Sequence, residues 1–581
     1  MSSTGYVDTF AHDNLPPRDQ WPDLINLEPL GYPEWLNCAE ELLDIAVDEG
    51  FGDKPVILAP DFKWTYSELQ ATANRIAHVL REDLGLIPGE RVLLHSPNNP
   101  MLAACWFGIL KAGGIVVATM PLLRERELAF VLEKAKVRFA LCDHRVSAAL
   151  LHAQEDAAVL ERLVCFGNGE LEALMADKST EFLAVKTSAE DVSLIAFTSG
   201  TTGVPKGTMH FHRDVLAICD SFPKHILQAN SDDVFIGSPP LAFTFGLGGL
   251  LLFPMRVRAS TVLLEKAPPL ELLKGIQDFG ATVVFTSSTG YRFMLDHLSE
   301  FDHSTLRKCV SAGETLPRLT SDAWFEKTGI RIIDGIGTTE ILHIFISASG
   351  NDIRPGSTGK PVAGYEARVV DSEGKPLPPG QVGRLAVRGP TGCRYIADSR
   401  QKDYVLDGWN LTGDAYLMDE DGYFWFQART DDMILSGGYN IAGPEVEEAL
   451  LEHPAVKECA VVGVPDEMRG SLVKAFVVLR EDAKPCTELV TTLQDFVKER
   501  IAPYKYPRAV DFVEALPRTE NGKLQRFKLR EGACYTVPSR LPKPSKTKPQ
   551  PSVLEVGELA NREGGLRSNS REAQSKGEGA S

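Results

Sequence analysis

The sequence predicts an α/β protein. A large N-terminal region of parallel α/β layers includes a small β-rich subdomain and is followed by a smaller α+β domain. Short apolar runs alternate with helical segments through the first part of the chain, which is typical of parallel layers. From about residue 431 the alternation begins again, in a unit of about 100 residues that is large enough for a small domain. The full length of 581 residues is also too great for one hydrophobic core.

Apolar spacing indicates the N-terminal elements. Residues 34–48 have a helical pattern, and WTYSELQATANRIAHVLRE has the spacing of an amphipathic helix that begins near Ser67. The pattern then predicts strands at 91–95, 115–118 and 193–197, and helices at 101–112 and 125–135. Later strands at 283–286, 308–311 and 331–335 each end in a loop of small residues.

The pattern changes again in the C-terminal half. Strands at 365–370, 383–388 and 423–427 are joined by Gly, Pro and Asp turns, as in a small β subdomain. The last unit combines helices at 444–451 and 489–500 with strands at 456–464 and 475–480. After Tyr535 no aromatic residue remains, and such a tail buries too little apolar surface to fold. The predicted boundaries are 1–430 for the N-terminal domain, 431–535 for the C-terminal domain and 536–581 for a disordered tail.

Charge and cysteine usage narrow the class of protein. The formal net charge is −18 and no basic stripe offsets it, which argues against a nucleic-acid partner. The ten cysteines form no CxxC pair and no metal-ligand spacing, and residues 1–13 lack the basic and apolar pattern of a signal peptide. This combination predicts reduced thiols and a cytoplasmic location. The oligomeric state is not indicated.

One uncharged stretch, residues 234–255, is long enough to be considered as a membrane span. Pro239, Pro240 and Pro254 lie inside it, and glycines interrupt its middle. The proline-free part, residues 241–253, is too short to cross a bilayer. We therefore predict a buried helix with its preceding loop.

The strongest chemical signal is TSGTTGVPKG at residues 198–207, directly after the apolar strand 193–197. Three glycines and four hydroxyl residues make a loop whose backbone N–H groups can surround one anion. Lys206 adds a mobile positive charge. The loop is neither a Walker A motif nor a dinucleotide fingerprint. A flexible surface loop is the alternative, but so many donors after a buried strand favour phosphate binding.

This loop resembles the phosphate loop of the adenylate-forming superfamily, which contains acyl-CoA synthetases, luciferases and peptide-synthetase adenylation domains. The resemblance extends in order over residues 30–530. Its other motifs are DGIGTTE at 334–340, TGD at 412–414, RTDD at 429–432 and RTENGKLQR at 518–526. The resemblance implies an adenylate-forming N-terminal domain followed by a mobile C-terminal domain. It also implies ATP, Mg²⁺ and coenzyme A as cofactors and a small-molecule carboxylate as substrate.

The resemblance assigns catalysis to Lys523, Glu340 and Lys206. Adenylation joins two anions, a carboxylate and the α-phosphate of ATP, so positive charge must be positioned between them. Lys523 would supply that charge, although a solvated surface lysine is the common alternative. Glu340 would hold Mg²⁺, which prefers oxygen ligands, and Asp414 would accept hydrogen bonds from the ribose hydroxyls. The nucleotide-binding residues implied by the resemblance are Thr198, Ser199, Gly200, Thr201, Thr202, Gly203, Lys206, Gly313, Asp334, Gly335, Thr339, Glu340, Asp414 and Arg429.

The same resemblance assigns a hinge and a coenzyme A face. Asp431 corresponds to the hinge about which the C-terminal domain of relatives turns after adenylation. Gly437 and Gly438, in the segment SGGY, would leave room for the pantetheine arm, unless they form an ordinary turn. Arg429 would contact ribose or phosphate, with a salt bridge at the domain interface as the alternative.

The acyl pocket implied by the resemblance is formed by aromatic and small residues, which favour a flat ring over a long acyl tail. GTTEILHIF at 337–345 and DTFAHDNLPPRDQWPD at 8–23 are similar to benzoate– and 2-aminobenzoate–CoA ligases. His343 either bonds a ring substituent or the carboxylate, or is a satisfied core histidine. The pocket residues are Phe243, Thr244, Phe245, Gly246, Ala312, Gly337, His343 and Ile344.

The expected activity is ATP-dependent activation of an aromatic carboxylate, of the 2-aminobenzoate or benzoate type, to its CoA thioester with release of AMP and pyrophosphate. The alternatives are a fatty acid substrate, a carrier-protein thiol as acceptor, or a non-catalytic nucleotide-binding relative. His210 and His212 lie at H-x-H spacing, but no third ligand follows at metal spacing. A structural or substrate-lining role is therefore favoured over zinc.

Overall fold

Strand–helix alternation builds two large sheets in the N-terminal region. The protein is described by a computed structural model that covers residues 4–198, 205–436, 439–466, 470–501, 503–518 and 524–531. The first sheet has six strands, parallel except for the antiparallel last one. Its spatial order is Arg162–Phe166, Phe139–Asp143, Arg91–His95, Ile115–Thr119, Val192–Thr198 and Lys206–Phe211.

The second sheet has nine strands, of which the central six are parallel. Antiparallel strands complete it at both edges. Its spatial order is Lys360–Pro361, Ile344–Ser347, Ile332–Gly337, Lys308–Ala312, Val283–Thr286, Val234–Gly237, Ser260–Val262, Pro55–Ala59 and Phe62–Thr65.

Helices cover both faces of each sheet, so successive strand residues enter different cores. Val116 packs into the central core between the two sheets, whereas Ile115 and Val117 pack against outer helices. The helix Tyr66–His78 begins at a capping box in which Thr65 and Glu68 bond each other's main-chain N–H groups. The main helices of this region are Tyr66–His78, Pro100–Lys111, Glu125–Ala135, Ser147–Asp156, Glu170–Met175, His212–Cys219, Pro269–Phe279, Ser288–Leu295 and Arg318–Thr328.

Two smaller sheets follow. The subdomain sheet is antiparallel, in the order Glu366–Val370, Val382–Arg388, Trp409–Met418 and Val405–Leu406, with Phe424–Arg429 also paired to Trp409–Met418. The C-terminal sheet contains Ile434–Ser436, Tyr439–Ile441, Val456–Asp466, Gly470–Leu479 and Ala509–Phe512. Its helices are Gly443–Leu451, Thr487–Arg500 and Arg526–Arg530.

The C-terminal sheet has a core of its own, which fits a separate domain. The stretch Met1–Thr536 is nevertheless one compact unit, and Arg518 joins the two parts through Glu314 and Glu458. The predicted boundary at residue 431 stays a prediction.

The predicted fold class is confirmed, with one helix displaced. Residues 34–48 are not helical throughout, since the helical run begins at residue 38 and continues to residue 51, with wider π-helical turns over Glu40–Asp44 and Val47–Phe51. Residues 35 and 36 instead pair with 187 and 188, as the Leu36 N–H donates to the Thr187 carbonyl at 2.8 Å. A main-chain partner distant in sequence thus overrides the local helical spacing.

The uncharged stretch forms successive helical turns at Thr244–Leu247, Gly248–Leu252 and Phe253–Arg256. They pack into the central core between the two large sheets, as the sequence predicts for a buried helix. Within the part of the chain that the structure describes, no helix is both long and apolar enough to span a bilayer.

Candidate active site

The two large sheets meet at Glu340. This residue follows the strand Ile332–Gly337 of the nine-stranded sheet, and Lys206 begins the strand Lys206–Phe211 of the six-stranded sheet. The Lys206 Nζ lies 3.8 Å from Glu340 Oε1. The hydroxyl of Tyr395 donates a hydrogen bond to the same oxygen at 2.5 Å. A carboxylate, an ammonium and a phenol therefore converge where strands of both sheets end.

The strand before the phosphate loop ends at this cluster. Thr198 pairs with Lys206 across the loop, and the Thr198 Oγ1 is buried without a hydrogen-bond partner among the described residues. Burial raises the pKa of Tyr395, and the neighbouring Glu340 carboxylate raises it further. The phenol therefore stays protonated and donates. The cluster therefore offers a ligand the hydroxyl of Thr198 and the ammonium of Lys206.

His210 and His212, which follow the loop, form hydrogen bonds with different partners. His210 Nε2 donates to the Thr339 carbonyl at 2.8 Å, next to Glu340. His212 accepts the Cys38 main-chain N–H at 3.1 Å on Nδ1. Burial lowers the pKa of His210 to about 4, so its ring is neutral. The described part of the chain contains no group of three His, Cys, Asp or Glu residues that could hold a metal ion.

Asp414 lies within the strand Trp409–Met418, at an irregularity in its pairing with Val382–Arg388. Gly413 has φ +77°, and a Cβ there would lie 2.9 Å from the Arg429 Nη2, so this position favours glycine. Arg429 Nη1 contacts Asp414 Oδ1 at 2.9 Å. The Thr430 hydroxyl donates to the Gly413 carbonyl at 2.8 Å. The carboxylate is therefore held at the junction of the subdomain sheet and the segment that leads to residue 431.

Asp334 is a second acidic group, and like Asp414 it lies near Tyr416. Its Oδ1 is buried without a hydrogen-bond partner among the described residues. Burial raises the pKa of Asp334 to about 7, and the Gly335 main-chain N–H opposes the shift in part. Burial also raises the pKa of Tyr416, with contributions from the Asp414 and Asp334 carboxylates. The two acids therefore lie near one ring.

Asp334→Asn is expected to remove a pH dependence from the stability of the nucleotide-free protein. The folded pKa of about 7 lies above the ordinary value of about 4. The folded state therefore holds this proton more tightly than the unfolded chain does. The resulting stabilisation is complete below about pH 4 and is lost as the pH rises through about 7. Asparagine does not titrate, so the variant does not lose this stabilisation as the pH rises. The difference in melting temperature between the variant and wild type should therefore shift in favour of the variant by about 2–4 °C between about pH 5 and 8.

Differential scanning fluorimetry across this range measures the effect. Asp352→Asn, which changes an exposed carboxylate, is the control and should keep a constant difference from wild type. A constant difference for Asp334→Asn would show that this carboxyl group titrates normally.

The predicted pocket residues gather at the carboxyl ends of the central strands. Ala312 pairs with Gly335 on the neighbouring strand, and Gly337 pairs with Ile344 on the next one. A Cβ on Gly337 would lie 2.6 Å from the His343 carbonyl oxygen, so the strands approach closely there. Ligands of open α/β sheets bind at this end of the strands.

Aromatic rings form one wall of this region. His343 lies 5.9 Å from Phe245 and 4.5 Å from Phe253, between ring centroids, and Phe245 lies 5.6 Å from Phe285. Neither ring nitrogen of His343 has a hydrogen-bond partner among the described residues. Burial lowers the pKa of His343 to about 3, and a contribution from the Phe245 main chain opposes the shift in part. The imidazole is therefore neutral, and its role, as a substrate contact or as a core histidine, stays a prediction.

A glycine pair allows these rings to approach the helix behind them. A Cβ on Gly248 would lie 2.3 Å from His343 Cδ2, and one on Gly249 would lie 2.5 Å from Phe285 Cδ1. Phe243, Thr244 and the buried Gly246 precede this pair and begin the same run of helical turns.

Some predicted residues cannot be placed. The phosphate-loop residues Ser199, Gly200, Thr201, Thr202 and Gly203, the coenzyme A residues Gly437 and Gly438, and Lys523 lie outside the described residues. Asp431 lies in the turn Thr430–Asp432, and its side chain is not described. Gly313 follows Ala312 with φ +85°, as a sharp turn at a strand end requires. The predicted roles of all these residues stay predictions.

Comparison with known proteins adds to this geometry. The AMP-binding enzyme family matches residues 46–395, and its C-terminal domain matches residues 445–523. The benzoate–CoA ligase of Thauera aromatica is 35% identical over 528 residues, which cover 89% of this chain and 98% of that protein. The chain belongs to the AMP-binding, adenylate-forming enzymes.

Solved structures agree with this assignment. The anthranilate CoA ligase AuaEII, in complex with anthranoyl-AMP, has a TM-score of 0.82 and 36% identity, with 87% of this chain and 98% of that chain covered. A benzoate CoA ligase from Burkholderia xenovorans LB400 has a TM-score of 0.79 and 33% identity, covering 85% and 100%. Within the adenylate-forming enzymes, the chain belongs to the acid–CoA ligase family. The predictions of ATP, Mg²⁺ and coenzyme A as cofactors, and of a small-molecule carboxylate as substrate, are confirmed.

Sequence reasoning missed one residue of this candidate site. Tyr395 lies in an irregular segment between the strands Val382–Arg388 and Trp409–Met418 and carries no motif. Arg394 beside it is fully buried and pairs with the buried Asp214 at 2.8 Å. A charged residue next to an aromatic one is too common on surfaces to predict such a buried contact.

Proposed function

We propose that this ligase activates an aromatic carboxylate, of the benzoate or 2-aminobenzoate type, and transfers the acyl group to coenzyme A. The observation that carries the proposal is the convergence of Lys206 and Glu340 beside strand ends walled by Phe245 and His343. The same residues would provide phosphate binding and a flat acyl pocket. A cytoplasmic location is part of the proposal.

The first step would form the acyl-adenylate. A carboxylate oxygen attacks the α-phosphorus of ATP and pyrophosphate leaves, so negative charge accumulates on the phosphate oxygens. Lys206 would hold the phosphates as a point charge, and Lys523 would bring the carboxylate and the α-phosphate together. Asp414 would accept the ribose hydroxyls. Bound Mg²⁺ neutralises phosphate charge, and Glu340 would be its protein ligand.

The second step would form the thioester. The coenzyme A sulfur attacks the acyl carbonyl, the thiol proton is lost and AMP leaves. Gly437 and Gly438 would admit the pantetheine arm after the C-terminal domain turns at Asp431. The predicted boundary at residue 431 belongs to this part of the proposal.

The pocket wall supports an aromatic acid over a long fatty acid. The rings of Phe245, Phe253, Phe285 and His343 lie 4.5–5.9 Å apart in consecutive pairs, with Phe253 and Phe285 6.4 Å apart. Of these four rings only Phe245 is partly exposed, so it is the ring that would stack against a flat substrate, and the buried rings behind it leave little room for an alkyl chain. The unpartnered imidazole of His343 can exchange a hydrogen bond with a polar ring substituent, which would favour an amino or hydroxyl group.

A panel of acids tests the proposal. Benzoate, 2-aminobenzoate, a hydroxybenzoate, hexanoate, octanoate and palmitate are assayed for ATP- and CoA-dependent thioester formation. We expect kcat/KM for the best aromatic acid to exceed that for every fatty acid by at least about tenfold. Phe245→Ala should lower this ratio of kcat/KM values, because it removes a ring from the predicted acyl pocket. Phe325→Ala, on the exposed face of the helix Arg318–Thr328, is the control and should leave the ratio unchanged.

Turnover of medium or long fatty acids alone would overturn the aromatic assignment. Release of pyrophosphate with an aromatic acid, but without any CoA thioester, would instead indicate a different acceptor, such as a carrier-protein thiol.

A further inference from the structure

We propose that Tyr395 is a positioning residue that sets the orientation of Glu340 for the divalent cation. This inference rests on the proposed role of Glu340. The Tyr395 hydroxyl donates to Glu340 Oε1 at 2.5 Å, and Lys206 Nζ approaches the same oxygen at 3.8 Å. Both contacts are on one carboxylate oxygen. Among the described residues Oε2 has no hydrogen-bond or ion-pair partner, so it is the oxygen available to a cation.

The Tyr395 ring also restrains Lys206. The Nζ lies 4.7 Å from the ring centroid, within the range of a cation–π contact. One tyrosine thus holds the carboxylate through its hydroxyl and the ammonium through its ring. These two charges are the groups that would meet the phosphates and their metal.

The fold keeps Tyr395 in place from several sides. Tyr395 forms a bridge with Thr208, two residues from Lys206. Its N–H donates to the Gln401 Oε1 at 2.9 Å. The preceding residue, Arg394, is fixed by its buried ion pair with Asp214 at 2.8 Å. Because the backbone is held on both sides, the hydroxyl has little freedom to leave Glu340.

The test separates the hydroxyl from the ring. Tyr395→Phe keeps the ring over Lys206 and removes only the bond to Glu340, whereas Tyr395→Leu removes both. Isothermal titration calorimetry with ATP, in Mg²⁺ and in EDTA without the acid substrate, gives the factor by which the metal tightens nucleotide binding. We expect Tyr395→Phe to lower this factor about tenfold, because loss of a group that orients a metal ligand commonly weakens metal binding by about that much. The Kd for ATP in EDTA should stay at the wild-type value.

Tyr395→Leu should additionally weaken ATP binding in EDTA, because Lys206 loses its ring contact. Tyr365→Phe is the matched control, because it removes a buried hydroxyl bonded to Thr391 Oγ1 at 2.9 Å. It should leave the metal factor unchanged even if its melting temperature falls as far as that of Tyr395→Phe.

An unchanged metal factor in Tyr395→Phe, with the wild type tightened by Mg²⁺, would overturn the positioning role and leave the proposed function intact. If Mg²⁺ does not tighten ATP binding to the wild type and no acid supports ATP–pyrophosphate exchange, the proposed function itself fails. A wild type that adenylates acids without any metal effect on ATP binding would overturn the inference alone.

Discussion

Replacing Lys523 by alanine is expected to slow ATP–pyrophosphate exchange by about 10²–10³-fold, the usual effect of removing one preorganised stabilising group. The reacting carboxylate and α-phosphate are both anions, and charge grows on the phosphate as pyrophosphate leaves. The resemblance assigns Lys523, in RTENGKLQR, to the position that neutralises this charge. Exchange of labelled pyrophosphate into ATP, with the best acid of the panel, measures the effect.

The second half-reaction separates this role from a general loss of structure. Preformed benzoyl-adenylate supplied with coenzyme A should give thioester at a similar rate in Lys523→Ala and wild type, because the lysine acts only in adenylation. Lys528→Ala, on the nearby helix Arg526–Arg530, is the control and should retain exchange. Wild-type exchange in Lys523→Ala, or equal loss of both half-reactions, would contradict the assignment.

Glu340→Gln is expected to lower adenylation by about 10²–10³-fold and to raise the Mg²⁺ concentration needed for half-maximal rate. Glutamine keeps an oxygen that can accept the Tyr395 hydroxyl, so the local packing is retained. Its neutral amide is a poor ligand for a hard cation compared with a carboxylate, and Lys206 loses the charge 3.8 Å from its Nζ. The measurement is the rate of pyrophosphate release as Mg²⁺ is varied.

Excess Mg²⁺ should recover part of the rate of Glu340→Gln, which distinguishes weakened metal binding from misfolding. Glu326→Gln, on the exposed face of the helix Arg318–Thr328, is the control and should follow the wild-type curve. A variant with reduced rate but the wild-type Mg²⁺ dependence would argue against metal binding by Glu340.

Strands with strong local signals were predicted well. Residues 91–95 and 283–286 form strands with the predicted bounds, because an apolar run bounded by turn residues is decisive for a strand buried on both faces. The strand Lys206–Phe211 was not predicted, since it begins inside a motif interpreted as a loop. Its pairing with Val192–Thr198 comes from a neighbour across that loop rather than from its own composition.

The candidate site likewise has features that the sequence predicted and features that it did not. Glu340, Lys206 and Asp414 could be proposed from motifs because their residue types and order carry the chemistry. Asp334 was also proposed from its motif, but its raised pKa of about 7 was not, since the protonation of a carboxyl group depends on how much water reaches it. The unpartnered imidazole of His343 likewise depends on the rings packed around it.

The sequence by itself determined the fold class and the order of the chemical motifs, because apolar periodicity and glycine-rich loops are local properties of the chain. The resemblance of those motifs indicated the adenylate-forming family. Only the tertiary structure decided that Tyr395 reaches Glu340 and that Arg394 pairs with Asp214. These contacts join residues far apart in sequence, and their strength comes from burial. Exclusion of water is a property of the packed layers, and no single segment encodes it.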